Sequence, residues 1–205
     1  PSFWEVWNSN PELSRRIKAA KDPHEEKWKC MRPFSYKLAT NFMPGYAKGL
    51  YDYFNAAKVL DPCAGWGDRL LGAVVSKTVQ KYVAFDPNTY LRPGYVDTMK
   101  VCGHRLTELT TDKLKFSNGF EIISKPFEVG ALLLDDNSFD CVFTSPPFFD
   151  YEMYSVDNPD YVDWLTGFYE PMFIHACRCV KPGGFVGIYI GDTSAGAITP
   201  FILNR

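Results

Sequence analysis

The sequence lacks the features that would place the chain in a membrane or in an oxidising compartment. Its 205 residues contain no apolar stretch near the ~20 residues that a bilayer span needs, and its first ten residues show no charged-then-apolar signal pattern. The six cysteines include no Cys-X-X-Cys pair, and the three histidines lie far apart. We therefore expect reduced cysteines, no metal site, no membrane partner and an intracellular location, cytoplasmic or nuclear according to the source.

The chain also lacks a strongly basic composition. Its formal net charge of −2 gives no general footprint for binding nucleic acid. The charge is uneven, however, since residues 1–40 carry eight Lys or Arg against five Asp or Glu, and the remainder carries 14 against 19. A phosphate contact would come more readily from residues 1–40, although a solvated helical face also accounts for LSRRIKAAKD. We expect residues 1–40 to form an N-terminal helical arm.

From residue 41 to residue 205 we expect one domain, in which helical and strand-like stretches alternate. The strand-like stretches are mostly apolar, which is typical of strands covered on both faces: KVLD, KYVAFD, KLKFS, FDCVFT and GFVGIYIG. Helices between them supply the crossovers that parallel strands need. The pattern predicts an α/β fold with a doubly wound, Rossmann-like, mostly parallel sheet and helices on both faces. Because the chain ends soon after the fifth such stretch, we expect the last strands to be missing.

The stretch VLDPCAGWGDRLLGA reads as a strand, a turn and a helix, and it predicts a ligand-binding loop. Gly65 and Gly67 would let a ligand approach bare backbone, and the following helix would offer unpaired N–H groups. A dinucleotide loop relies on the same physics, but its third glycine is missing because position 70 is Leu. Asp61 at the strand end would repel a pyrophosphate and attract an ammonium group. These features favour S-adenosylmethionine, which carries an ammonium, a sulfonium and a carboxylate.

The next two strand ends extend this prediction. Asp86, in AFDPN, would accept hydrogen bonds from both ribose hydroxyls, or else cap the following helix. Ser117 or Asn118, in FSNGF, would meet the edge of the adenine and Phe120 its face. An ordinary Asn-Gly turn is the alternative for that last stretch.

Four motifs in order, DPCAGWGDRLLGA, AFDPN, TSPPFFDYEMYS and VKPGGF, resemble the class I S-adenosylmethionine-dependent methyltransferases. The Ser-Pro-Pro-Phe stretch is similar to that of the enzymes that methylate amino groups of nucleic acid, particularly N4 of cytosine. Upstream, FMPGYAKGLYDYF resembles the N-terminal motif of the family, whose helix caps the methionine end of the cofactor. The likeness spans roughly residues 40–192. It implies the following cofactor-binding residues: Phe42, Pro44, Asp61, Ala64, Gly65, Gly67, Asp86, Pro87, Ser117 and Asn118.

The stretch Ser145–Phe148 is the predicted catalytic segment. An exocyclic amino group is a poor nucleophile because its lone pair is delocalised into the ring. The Ser145 hydroxyl and the Pro146 carbonyl could accept its two hydrogens, while Pro146 and Pro147 lack competing N–H donors and have fixed φ angles. Phe148 would stack on a flipped-out base. A rigid turn at the exit of a strand is the alternative interpretation.

We thus predict methyl transfer to a nucleobase amino group, with N4 of cytosine in DNA preferred. N6 of adenine, RNA and protein-amide substrates stay open, as does a non-catalytic subunit of the same fold that binds a partner or nucleic acid. A nucleotide-binding oxidoreductase is disfavoured by the missing glycine. No target-recognition region is visible, so we expect a further domain or subunit to supply one.

Overall fold

The computed structural model describes residues 42–149 and 160–191, together with Arg15 and Thr199. The predicted arm at residues 1–40 therefore lies outside the described part, apart from Arg15. The described part of the chain contains seven strands: β1 (Lys58–Asp61), β2 (Lys81–Phe85), β3 (Leu106–Leu109), β4 (Lys113–Phe116), β5 (Glu121–Ile123), β6 (Phe139–Thr144) and β7 (Val180–Ile188). The helices are α1 (Pro44–Tyr53), α2 (Asp68–Val74), α3 (Arg92–Val101), α4 (Phe127–Gly130), α5 (Tyr161–Trp164) and α6 (Glu170–Cys179), with a π-helical turn over Leu165–Tyr169 and 3-10 turns over Thr89–Leu91 and Ala131–Leu133.

The strands form one sheet in the order β3-β4-β5-β2-β1-β6-β7. Five of them, β5, β2, β1, β6 and β7, run parallel to one another. The predicted α/β fold with a mostly parallel, Rossmann-like sheet is confirmed. After β1 the chain forms β2 beside it and then β3, β4 and β5 beyond β2. It then returns to place β6 on the other side of β1. Ligands of open α/β sheets bind at such a reversal, beyond the carboxyl ends of the strands.

The sequence prediction was wrong about the region between β2 and β6. KLKFS was expected to be a parallel strand, but β4 is antiparallel to both β3 and β5. The links before and after β4, residues 110–112 and 117–120, are too short for a crossover. The third parallel strand is instead the three-residue β5, and neither β5 nor β3 was predicted from the sequence.

Two apolar clusters cover the two faces of the sheet. Alternate residues of the strands face opposite sides, so Val59 belongs to one cluster and Leu60 to the other. The first cluster is covered by α1, α2 and α3, and the second by α4, the π-turn and α6. No helix in the described part of the chain is long and apolar enough to cross a membrane.

Close packing of α1 on α2 places the start of α1 at the carboxyl edge of the sheet. Gly72 makes this approach possible, because a Cβ atom there would lie 2.7 Å from the Pro44 carbonyl oxygen and 2.8 Å from the Ala47 Cβ. Any side chain at position 72 would therefore force the two helices apart. Phe42, two residues before α1, is thereby held against Arg69 in the first turn of α2.

Candidate functional site

Asp61, the last residue of β1, is the centre of a buried hydrogen-bond network. Its side chain is fully buried. Oδ2 accepts from Arg69 Nε at 2.8 Å and from the Tyr82 hydroxyl at 2.7 Å. Oδ1 accepts from the Thr144 hydroxyl at 2.9 Å and from the Cys63 amide at 3.1 Å. One carboxylate therefore joins β1, β2, β6 and the first turn of α2.

The charge of Arg69 balances that of Asp61 inside the protein. Arg69 is 4% exposed, and its guanidinium also donates to the Cys63 carbonyl and lies over the Phe42 ring, 5.4 Å from the ring centroid. Burial lowers the pKa of Arg69, but the charge and hydrogen bond of Asp61, together with Tyr82 and Tyr51, raise it by more, so the net shift is upward and Arg69 stays charged. Burial and the same carboxylate raise the pKa of the Tyr82 hydroxyl, which keeps its proton and acts as a donor.

This geometry corrects the expected role of Asp61. The sequence predicted that its carboxylate would receive the ammonium group of a ligand. The cation that it meets is instead Arg69, and four protein donors occupy its two oxygens. Asp61 thus has a structural role, because its hydrogen bonds connect the elements that surround the site. Arg69 was missed because a single Arg in a helical stretch is indistinguishable by sequence from a solvated surface residue.

The glycine loop after Asp61 is fixed by its own backbone amides. The Ala64 amide donates to the Phe85 carbonyl at 2.8 Å, and the Gly67 amide donates to the Ala64 carbonyl at 3.2 Å. The Gly65 amide donates to Asp86 Oδ2 at 2.8 Å. All three loop amides therefore have protein acceptors. The loop therefore offers a defined shape rather than a row of donors.

Both glycines of the loop have a left-handed backbone conformation, with φ of +56° at Gly65 and +90° at Gly67. A Cβ at Gly67 would lie 3.1 Å from the Tyr95 ring, while the Tyr95 hydroxyl donates to the Gly65 carbonyl at 2.5 Å. A Cβ at Gly65 would meet nothing nearer than 4.0 Å. Open space thus lies directly above Gly65, where a ligand can approach the main chain.

Asp86 follows β2 at the carboxyl edge, beside this open space. Its Oδ2 accepts from the Gly65 amide and its Oδ1 from the Asn88 amide at 2.9 Å. Each carboxylate oxygen has a second lone pair, so two acceptor positions remain. Burial raises the pKa of Asp86, although the two amides act in the opposite direction. No ion pair to Asp86 occurs among the described residues. The next residue, Pro87, is exposed.

The structure does not bring Ser117 and Asn118 to this edge. Both follow β4, which is antiparallel, so they lie at the opposite edge of the sheet, where the Ser117 amide donates to the Arg105 carbonyl at 2.9 Å. The neighbouring Phe120 is 3% exposed and packs against Tyr82 in the core. The expected contacts of these residues with an adenine are therefore wrong. The residue that follows the third parallel strand at the carboxyl edge is Ser124.

The segment Ser145–Phe148 leaves β6 at the carboxyl edge, next to the loop after β1. Thr144, the last residue of β6, contacts both Asp61 and the Cys63 amide, the latter at 3.1 Å. Pro146 is buried, and Ser145, Pro147 and Phe148 are partly exposed. Within the described ranges, neither the Ser145 hydroxyl nor the Pro146 carbonyl has a hydrogen-bond partner. Both acceptors are thus unused by the protein contacts that the structure describes.

Phe42 and Pro44 approach the same edge from α1. The Phe42 ring makes edge contacts with Phe143 at 5.6 Å and with Tyr189 at 5.5 Å between ring centroids. Pro44 is the first residue of α1. Phe42, Asp61, Gly65, Asp86 and Ser145 are therefore gathered at one edge of the sheet. Among the residues that the structure describes, no group of three or more His, Cys, Asp and Glu side chains could hold a metal ion.

Replacing Asp61 by Asn tests the proposed structural role of this carboxylate. Asp61→Asn leaves the Arg69 charge buried and unpaired, so we expect the free energy of unfolding to fall by about 3–5 kcal/mol. Urea unfolding followed by circular dichroism measures this change.

Glu108→Gln is the matched control, because it breaks the partly exposed ion pair of Glu108 with Lys113, whose charged atoms lie 2.9 Å apart. We expect that pair to contribute less than about 1 kcal/mol. Equal losses of stability in both variants would contradict a central role for Asp61.

Comparison with known proteins supports the fold. The sequence matches no protein-family model and no curated protein. Among solved structures, Trm1 of Pyrococcus horikoshii in complex with S-adenosyl-L-methionine is similar with a TM-score of 0.52 at 13% identity, over 72% of this chain and 37% of that chain. The protein PH0851 has a TM-score of 0.51 at 18% identity, over 73% and 32%. A conserved hypothetical protein of Streptococcus pyogenes has a TM-score of 0.40 at 18% identity, over 61% and 60%. The chain spans less than two thirds of each, and its Rossmann-like fold is the one found in Trm1.

Proposed function

We propose that this chain is an S-adenosylmethionine-dependent methyltransferase that acts on an exocyclic amino group of a nucleobase, with N4 of cytosine in DNA as the preferred target. The observation that carries the proposal is the 2.9 Å hydrogen bond between Thr144 and Asp61. This bond ties the start of the Ser145–Phe148 segment to the glycine loop, at the point where the strand order reverses. A rigid pair of acceptors and a candidate cofactor loop thus share one edge.

The residues at this edge fit the adenosine half of the cofactor. Asp86 has two acceptor positions left for the ribose hydroxyls, and Gly65 leaves the adjacent space open. We assign the methionine half to the side where Phe42 and Pro44 lie, at the start of α1. The S-adenosylmethionine bound by Trm1 supports this cofactor for the same fold. When bound, the cofactor would supply an electrophilic methyl group: the amino nitrogen would bond to it as the sulfur–methyl bond breaks, which leaves S-adenosylhomocysteine, and the nitrogen would give up one proton to water.

The chain's own contribution is to orient the amino group. Two acceptors aimed at the amino hydrogens favour a pyramidal nitrogen with a localised lone pair. The Ser145 hydroxyl and the Pro146 carbonyl supply them, and acceptors that are held in place beforehand cost no reorganisation. Ser145 is not a general base in this scheme, because its hydroxyl holds its own proton at neutral pH. Phe148 offers an aromatic face on which the base stacks.

Asp86→Ala tests the cofactor assignment. Two hydrogen bonds to a charged acceptor are worth about 1.5–3 kcal/mol each, so we expect the affinity for S-adenosylmethionine to fall at least about a hundredfold. Isothermal titration calorimetry measures it.

Asp140→Ala is the control, because the Asp140 carboxylate also accepts from two backbone amides, those of Ala57 at 3.1 Å and Lys58 at 2.7 Å, but does so at the opposite edge of the sheet, where β1 begins. We expect its affinity to match that of the wild type. Undiminished affinity in Asp86→Ala would remove the ribose assignment.

Mass spectrometry of nucleosides tests the reaction itself. DNA and RNA oligonucleotides are incubated with the protein and methyl-labelled S-adenosylmethionine, then digested. We expect labelled N4-methylcytosine from DNA, and at least a tenfold slower turnover by Pro146→Ala with cofactor affinity unchanged, since the alanine adds an N–H donor and frees φ.

The identity of the product separates the alternatives. Labelled N6-methyladenine or methylated RNA would replace the preferred substrate but keep the amino-group chemistry. Absence of label from every nucleoside, in a protein that binds the cofactor, would contradict the proposal and favour a non-catalytic subunit or an acceptor outside nucleic acid.

A further inference from the structure

Tyr169 contacts the predicted catalytic segment from the face of the sheet that α4, the π-turn and α6 cover. Its side chain is fully buried, and its hydroxyl donates to the Pro147 carbonyl at 3.0 Å. Burial raises the pKa of this hydroxyl, so it remains a donor at neutral pH. The ring packs on Trp164 at 4.4 Å and on Phe168 at 5.2 Å between centroids. Tyr169 is thus a rigid donor aimed at one carbonyl of the segment.

The position of Tyr169 depends on an unusual piece of helix. It is the last residue of the π-helical turn Leu165–Tyr169, which lies between α5 and α6. Turns of this type are rare and occur frequently at functional sites. The neighbouring residue Trp164 also packs on Phe149, with 5.2 Å between ring centroids. The start of this helical region therefore supports both the carbonyl of Pro147 and the residue that ends the described segment.

Between the Cα atoms of Ser145 and Phe148, one backbone torsion is not restricted by a proline, and the Tyr169 hydroxyl acts on it. The rings of Pro146 and Pro147 fix their own φ angles, and a following proline restricts the ψ angles of Ser145 and Pro146. The ψ angle of Pro147 is not restricted in either way. This angle sets the direction of the Pro147 carbonyl and the position of Phe148 relative to the two acceptors.

We propose that Tyr169 is a positioning residue for the methyl-transfer site: by holding the Pro147 carbonyl, it fixes the ring of Phe148 opposite the acceptors of Ser145 and Pro146. This inference rests on the proposed function. Tyr169 itself touches neither cofactor nor base in this account and acts through Phe148. No sequence pattern indicates this role, because a tyrosine in a long amphipathic stretch is typical of a core residue.

Tyr169→Phe removes the hydroxyl and keeps the ring. We expect kcat/KM for a cytosine-containing single-stranded DNA to fall about tenfold, and the Kd for S-adenosylmethionine to stay within about twofold, since the cofactor residues are not touched. Thr166→Ala is the matched control: it also removes a hydroxyl bond from the π-turn, that of Thr166 to the Val162 carbonyl at 2.9 Å, at an exposed position. We expect it to behave as the wild type.

A double-mutant cycle with Phe148→Ala separates positioning from general support of the fold. If Tyr169 acts through Phe148, then adding Tyr169→Phe to Phe148→Ala should change kcat/KM by less than about twofold. The proposal would be overturned if the two single-variant losses of kcat/KM multiplied in the double variant. A tenfold loss of cofactor affinity in Tyr169→Phe would also overturn it.

Hydrogen exchange of the peptide spanning residues 143–149 tests Tyr169 without any substrate. We expect faster exchange in Tyr169→Phe than in the wild type or in Thr166→Ala. If the wild type methylates no nucleobase, the proposed function fails, and this measurement still decides whether Tyr169 orders the segment. Unchanged exchange in Tyr169→Phe would contradict its positioning role even in an active enzyme.

Discussion

The buried ion pair of Asp61 with Arg69 is the constraint on which the site depends. A charged carboxylate without partners would be too costly to bury, and four donors from different elements make its burial acceptable. Because Tyr82 comes from β2 and Thr144 from β6, one side chain sets how these strands end around β1. Such a network is sensitive to the loss of any member, since a half-satisfied buried network is worse than none.

From this centre, the two parts of the candidate site extend in opposite directions along the sheet edge. Toward β2, the glycine loop is held against Asp86, whose carboxylate keeps acceptor capacity beside open space. Toward β6, Thr144 leads into a segment stiffened by two prolines and held by Tyr169. The two carboxylates thus differ in their contacts: protein donors fill every acceptor position of Asp61, whereas Asp86 keeps acceptor positions for a ligand. Both residues are aspartates, and their different contacts follow from their different burial.

The sequence predicted the parallel core of the fold and missed its edge. Apolar strands and the crossovers between them identified β1, β2, β6 and β7. The edge strand β3 has no buried residue and β5 has only three residues, so neither shows an apolar strand pattern. The direction of β4 was therefore predicted wrongly, and Ser117 and Asn118 were expected at the site although they lie at the opposite edge of the sheet. Motif spacing located Asp86 and Ser145 correctly at strand ends. It could not reveal Arg69 or Tyr169, because hydrogen bonds between residues distant in the chain leave no local pattern.

The central claim is that a cofactor on Asp86 faces the acceptors of Ser145 and Pro146 across one edge. A crystal structure of the protein with S-adenosyl-L-homocysteine tests it most directly. The account predicts both ribose hydroxyls within about 3 Å of the Asp86 carboxylate, with the sulfur directed toward the Ser145 hydroxyl and the Pro146 carbonyl. A ligand bound elsewhere, or these two acceptors turned away from the sulfur, would contradict it.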